Sequence, residues 1–321
     1  MFFERKISKL LNVFFLWLLM THKCSCDEKN QCIYNHEDRI YTAICSDKKL
    51  EAVPSNLDRN IEGLYLDDNK LDVIGDSAFE NTPNVKYLFI NSNTGVHITP
   101  NAFGPLKNLH TLDLSKDRVV NVPAIKFPES LKLLNLDGIN RIKITTISYL
   151  PELKSLSLQD CNLDKVPSFG GPLIHLSKID LRGSLNKLEN FTLDSLANLC
   201  SLKELYINST ASIQDSCECL RLNQWIKDNK IFGSNVTCGS IKNDKTCSTS
   251  PSSTFTETYN SCVLKRKVTT SISVVSTVCY ILGGCFVCAV LLIELYIVCN
   301  RKNYSDDTIR AYLCCKRKIN G

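Results

Sequence analysis

Apolar residues recur along the middle of the chain in one fixed wording. Positions one, four and six of a nine-residue phrase are aliphatic, and position nine holds Asn in the first two copies. The phrase starts at Ile61, Val85, Leu109, Leu131, Leu153, Leu176 and Leu202, at intervals of 22 to 26 residues. Its first copies read Ile61-E-G-Leu64-Y-Leu66-D-D-Asn69 and Val85-K-Y-Leu88-F-Ile90-N-S-Asn93. Alternation across the centre of the phrase predicts a short strand with the Leu64-type residues turned inward. Each copy then has room for that strand and a return segment, and cannot bury its apolar side alone. Stacked copies share one core and present an extended curved surface, which is a binding shape.

Phrases of this length and wording are leucine-rich repeats. The expected fold is an α/β solenoid, a leucine-rich repeat horseshoe of seven repeats over residues 61–213. The Asn at position nine ties the turn to neighbouring repeats through its amide. Asp117, Ile139, Cys161, Ser184 and Thr210 stand there in later copies, which predicts uneven curvature in the second half. Asn140 can serve if the fourth repeat is shifted by one residue. Cys161 is an accepted substitute and reads as a buried free thiol.

Two apolar runs flank this array. Leu10 to Met20 follows Arg5, Lys6 and Lys9 and is too short to cross a bilayer, so residues 1–23 read as a signal peptide. The run from Ser271 to Cys299 is interrupted only by Glu294. About 25 helical residues cover about 37 Å, so residues 271–299 are expected to form a single transmembrane helix with Glu294 near its distal end. A cytosolic tail of residues 300–321 is too short for a signalling domain. The implied arrangement is a type I single-pass protein of the plasma membrane, N-terminus extracellular, contacting the lipid bilayer through one span.

Charge supports a non-nucleic-acid role. The chain carries 38 basic and 33 acidic residues for a net +5. That excess sits in the leader, the juxtamembrane triplet Lys265-Arg266-Lys267 and the tail. The segment from Cys24 to Leu264 is net acidic, so no nucleic-acid surface is expected. His22, His36, His97, His110 and His175 are scattered, and no catalytic constellation, cofactor site or metal site emerges. The chain reads as a non-enzyme.

Eleven of the 17 cysteines precede the apolar run, clustered at the two ends of the array. Cys24, Cys26, Cys32 and Cys45 lie in a cap over residues 24–60. Cys217, Cys219, Cys238, Cys247 and Cys262 lie in a second cap and stalk over 214–262. A solenoid exposes raw core at each terminus, and small caps in an oxidising compartment are stapled by disulfides. Spacing alone does not choose among the connectivities. Cys200 has no assigned partner, and an odd count leaves one thiol free or intermolecular. If Cys262 is the unpaired one, a membrane-proximal disulfide dimer follows; a homo- or heterodimer therefore stays open.

The segments Cys24-S-Cys26…Cys45-S-D-K-K-Leu50 and Cys217-E-Cys219…Trp225-Ile226…Cys238 resemble the caps of extracellular leucine-rich repeat proteins. That family includes Toll-type receptor ectodomains, adhesion receptors and synaptic organisers. The resemblance implies first-to-third and second-to-fourth pairing in the C-terminal cap. This gives Cys217–Cys238, with Cys219 joined to Cys247 or Cys262. Zinc held by Cys217 and Cys219 is the disfavoured rival outside the cell.

Residues between the inward leucines face the concave side. They place Tyr65, Tyr87 and Phe89 side by side, with carboxylates at Asp67, Asp68, Asp113, Asp137, Asp160 and Asp180. The candidate ligand-binding residues are Tyr65, Asp67, Tyr87, Phe89 and Asp113. The competing reading is a plain solvated face, and an acidic stripe would favour a basic partner. Sequons at Asn190, Asn208 and Asn235 are expected to carry glycans, covering the C-terminal end. The Ser/Thr-rich stretch after Cys247 reads as a stalk. Cys299, Cys314 and Cys315, beside basic residues at the inner leaflet, are palmitoylation candidates. The expectation is a receptor for recognition or adhesion that binds an extracellular or membrane protein. The alternative is an accessory subunit modifying another membrane protein such as a channel or signalling receptor.

Overall fold

The computed structural model describes residues 32–282, apart from 38, 94, 117–124, 140–146, 148, 184, 189–190, 209–212, 214, 234–235, 237 and 239–246. One ten-stranded sheet runs the length of the array. In chain order its strands are β1 (Ile33–Glu37), β2 (Ile40–Ile44), β3 (Gly63–Tyr65), β5 (Tyr87–Phe89), β7 (Thr111–Asp113), β8 (Leu133–Asn135), β9 (Ser155–Ser157), β10 (Lys178–Asp180), β11 (Glu204–Tyr206) and β12 (Phe232–Gly233). Seven of these, β3, β5 and β7 to β11, are the centres of the seven phrases. β1 and β2 form an antiparallel hairpin; every other neighbouring pair is parallel. A two-stranded ladder of β4 (Val73–Ile74) and β6 (His97–Ile98) lines the return side of the first repeats.

The inward residues form one core. Leu64, Leu88, Leu112, Leu134, Leu156 and Ile179 are fully buried in adjacent strands, in register with Ala43 of β2. On the return side Phe79, Phe103 and Phe127 stack with ring centroids 6.0 and 6.3 Å apart. Each aromatic of this size removes a large apolar area from water. The first six repeat strands each leave the sheet through one left-handed residue. Asp68, Ser92, Lys116 and Asp160 have φ of 53 to 64°, and Gly138 and Gly183 occupy the same place at 75 and 113°. Asp, Ser and Gly tolerate this conformation. At Gly183 a side chain would also meet the Asp160 amide nitrogen at 2.4 Å.

The expected α/β solenoid is corrected to a β-solenoid. Among the described residues the return segments hold turns, the β4–β6 ladder and one short 3-10 helix, Leu193–Leu196. Prolines such as Pro83, Pro105, Pro128 and Pro151 in these short segments oppose helix propagation. The α-helices lie at the C-terminal end. α1 (Ser216–Asp228) is capped by the Asp215 carboxylate, which accepts from the Cys217 and Glu218 amides.

α2 (Ser253–Leu282) replaces the expected stalk. Phe255, Tyr259 and Cys262 recur at helical spacing; the Trp225 ring meets Phe255 and Tyr259 edge-on at 6.0 and 6.2 Å, and Cys262 packs beside Ile174 and Cys200. That apolar face holds the Ser/Thr-rich stretch against the cap. Residues 283–299 of the expected span, Glu294 among them, lie outside the described residues. Among those described, no helix is long and apolar enough to cross a membrane. The signal peptide, Cys24, Cys26, Cys299, Cys314 and Cys315 also lie outside them.

Disulfides join Cys32–Cys45, Cys200–Cys262, Cys217–Cys247 and Cys219–Cys238. The pairing of Cys217 with Cys238 is therefore overturned. Two positions on a helix differ by about 200° of rotation. Cys219 thus faces the core at 1% exposure and meets Cys238, while Cys217 is left on the outer side for Cys247. The zinc alternative fails for the same reason, since both sulfurs are consumed. Cys262 fastens α2 to the last repeat through Cys200, which removes the proposed route to a Cys262-linked dimer. Cys161 is free and buried, as expected.

Candidate functional site

Register along the sheet determines which concave residues meet. Tyr65 of β3 pairs with Phe89 of β5, and Gly63 pairs with Tyr87. The Tyr65 and Phe89 rings stack with centroids 4.6 Å apart and planes 10° from parallel. Tyr87 turns its ring edge-on to His110 at 6.5 Å. Gly63 has no side chain beside Thr42; an added Cβ would lie 2.5 Å from Thr42 Cγ2. The missing side chain opens a concavity of about 470 Å³ lined by Ile40, Thr42, Ile44, Gly63, Tyr65, Tyr87 and Phe89.

Three expected residues, Tyr65, Tyr87 and Phe89, are thus brought together at one hollow. Ile40, Thr42 and Ile44 complete it and were missed from the sequence. β2 extends the parallel sheet one strand before the first repeat, with Ala43 standing where Leu64 stands in β3. The alternation Ile40-Tyr41-Thr42-Ala43-Ile44 was the available signal. On the next strand out, Ile33 is 59% exposed and continues the apolar surface toward the cap edge.

Asp67 and Asp113 are placed differently. Asp67 accepts from Ser46 Oγ at 2.7 Å, tying the first repeat to the cap. Asp113 accepts from the Ser115 amide at 2.8 Å and Asn135 Nδ2 at 3.2 Å. Asp137 accepts from Ser157 Oγ at 2.6 Å and the Gln159 amide at 2.7 Å, and burial pushes its carboxyl above the ordinary value. These carboxylates are built into the ladder between repeats, so the acidic stripe is not an open field for a basic partner.

At the C-terminal end the face closes on itself. Asp180 is buried and held by Arg182 through Nε and Nη2, at 3.0 and 2.6 Å. The Arg182 guanidinium and Lys178 Nζ lie over the Tyr206 ring at 4.9 and 5.2 Å. Lys178 also faces Glu204 at 3.4 Å. Of the sequons, Asn208 is half-buried; it accepts from the Gly183 amide at 3.1 Å and donates to the Gly183 carbonyl at 2.5 Å. Asn190 and Asn235 lie outside the described residues.

The Asn ladder follows the sequence in the first half and departs from it in the second. Asn69 donates to the carbonyls of Cys45, Leu66 and Asp67 and accepts from Lys48 and Leu50. Asn93 bridges Leu66, Ile90 and Leu71 in the same way. In the fourth repeat Ile139 is buried in the core, and Asn140 lies outside the described residues. Cys161 donates to Leu136 O at 3.0 Å, and burial pushes its thiol up to about 12. In the sixth repeat Asn186 takes over, donating to Leu158, Leu181 and Arg182 and accepting from Leu163. It stands two places past the expected Ser184 and was not anticipated.

Residues 59–119 match the family described as leucine rich repeat. The chain is 30% identical over 174 residues to Toll-like receptor 8 of Homo sapiens, covering 47% of this chain and 17% of that protein. It is 31% identical over 150 residues to keratocan of Mus musculus, covering 45% of this chain and 42% of that protein. It is 30% identical over 157 residues to the leucine-rich repeat transmembrane protein FLRT2 of Rattus norvegicus, covering 46% and 23%. The chain thus spans less than half the length of each of these relatives. They are similar to it through leucine-rich repeats, with disulfides closing the ends here.

Proposed function

We propose that this protein is a cell-surface leucine-rich repeat protein, type I and single-pass, that recognises a protein partner through the N-terminal half of its concave face. The observation that carries this reading is the hollow over Gly63. Three aromatic rings and three β2 side chains converge there, and the rings are only half-buried by the chain itself. Clustered aromatics around a depression are how energetic centres of protein interfaces are built. Tyr206, at the far end of the same face, is covered by its own neighbours and offers no such centre.

Export is supported by four disulfides, which persist in oxidising compartments. Anchoring is supported by the apolar run 271–299 and by the transmembrane relative. Recognition or adhesion is the role that fits a receptor relative. Glycans on Asn190, Asn208 and Asn235 would leave the N-terminal hollow open. Palmitoyl groups on Cys299, Cys314 and Cys315 would reinforce the anchor.

The test is the variant Tyr65→Ala/Tyr87→Ala/Phe89→Ala in the full-length chain, with partners identified by purification in mild detergent. Surface delivery should persist, because these side chains lie outside the core. Partner affinity should fall by about thirtyfold or more, the usual scale for losing an aromatic hot spot. Normal binding by this variant would overturn the concave-face reading. The accessory-subunit reading would then lead, because α2 leaves the cap with an exposed face on which Val274 is 56% exposed.

A further inference from the structure

A second surface crosses the repeats along the edge where their strands begin. The residue after the first aliphatic of each phrase is Glu62, Lys86, His110, Lys132, Lys154, Ser177 and Lys203 in turn. These residues form a physical column. The amide of Lys86 donates to the Glu62 carbonyl, His110 to Lys86, Lys132 to His110, Lys154 to Lys132, Ser177 to Lys154 and Lys203 to Ser177, all at 2.7 to 2.9 Å. With strands about 4.8 Å apart, Lys86 to Lys203 covers about 24 Å. Four ammonium groups and an imidazole therefore stand in line across six strands, with Ser177 between Lys154 and Lys203.

The column is only lightly neutralised. Glu62 pairs with Lys86 at 2.9 Å. Among the described residues, Lys132, Lys154 and Lys203 have no carboxylate within ion-pair distance. Lys132 Nζ lies 3.3 Å from His110 Nε2. Burial and the charges of Lys132 and Lys86 depress the His110 pKa, as expected where cations crowd without counter-charge. Glu129 and Glu152 sit on the adjoining loops, and their charge acts on Tyr149. The carboxylates of the sheet stand beyond the column, at Asp67, Asp113, Asp137 and Asp180.

We infer that this column is a docking rail for a linear sulfated polysaccharide of the glycosaminoglycan class. A ligand with anionic groups along its length can follow a row of lysines spaced one or two strands apart. A folded acidic protein would meet the row at only a few points. A single-stranded nucleic acid would want aromatic platforms between the cations, and between Lys86 and Lys203 the column offers only His110. The inference rests on the extracellular setting proposed above, but not on the aromatic hollow, from which it is separate.

The test uses the full-length chain in mild detergent and size-defined heparin oligosaccharides. The charge-removing variant Lys132→Gln/Lys154→Gln/Lys203→Gln should bind about tenfold more weakly and leave a heparin column at lower salt, because each exposed contact is modest and screened. The Arg version of the same triple should restore binding. The control Lys48→Gln/Lys70→Gln/Lys107→Gln, off the column, should match the unmodified protein, and so should the aromatic triple. Equal loss in the control and column triples would overturn the inference. So would equal binding of polyglutamate or an oligonucleotide of matched charge, or unchanged binding of the column triple. Loss of protein-partner binding without loss of heparin binding would separate failure of one surface from the other.

Discussion

The two ends of the solenoid close the same exposed core in different ways. At the N-terminal end a hairpin continues the sheet and leaves Ile33, Ile40, Ile44, Tyr65, Tyr87 and Phe89 around an open hollow. At the C-terminal end α1, α2 and three disulfides cover the last repeat. The concave residues there pair with one another, as Asp180, Arg182 and Tyr206 show. A repeated backbone thus carries one end with an open hollow and one end whose concave residues pair with one another. Tyr65 and Tyr206 occupy the same place in their repeats, so the difference lies in their neighbours: Phe89 beside Tyr65, and Lys178 and Arg182 over Tyr206.

The largest expected effect breaks the closed end. Cys200→Ser/Cys262→Ser opens a link between residues separated by 62 positions. In the chain-entropy view this costs about 4 kcal/mol. Cys32→Ser/Cys45→Ser, with a separation of 13, costs about 3 kcal/mol on the same basis. Thermal unfolding of the full-length chain should rank the two variants in that order. The reverse ranking would show that α2 contributes little to closing the array.

The ladder provides the second contrast. Asn93 is fully buried with donor and acceptor both used, and Asn93→Ala leaves buried carbonyls without partners, at about 2 to 3 kcal/mol. Cys161→Ala removes one weak thiol bond in the equivalent place and costs about 1 kcal/mol. Denaturant midpoints of the two variants should differ accordingly. Similar midpoints would mean that Asn and Cys hold their turns equally.

A further effect appears only at high pH. The Cys161 thiol is held protonated to about 12 in the folded chain against an ordinary 9.0. The folded state then binds one more proton than the unfolded state between those values. This contribution is intact below pH 9 and is lost as pH rises toward 12. Alkaline titration of stability should fall more steeply for the unmodified chain than for Cys161→Ala. Parallel curves would place the thiol in water.

Much of this was legible in the chain. The seven phrases specify seven strands, because inward aliphatics at positions one, four and six have a single way to share a core. The aromatic cluster was legible for the same reason, since alternation fixes which residues face out. Other features depend on contacts the phrase does not encode. Ile40 and Ile44 join the hollow because β2 imitates a repeat without its wording. Asn186 makes the ladder hydrogen bonds in the sixth repeat, two places past the position the phrase assigns, and the phrase carries no signal for that shift. The pairing of Cys217 and Cys219 depends on helix phase, which is invisible until α1 is placed. The stalk was read from composition, yet Phe255, Tyr259 and Cys262 among its serines and threonines carry the helix.

The smallest change should come from the closed face. Lys178→Ala/Tyr206→Ala should leave partner affinity within about 0.5 kcal/mol, as expected for substitutions away from an interface. A large loss would move the partner to the C-terminal end. The most direct measurement places a photo-reactive residue at position 87 in one full-length protein and at position 206 in another, followed by irradiation on cells. The partner should be captured from position 87 and not from position 206. Capture from position 206 alone would contradict the account.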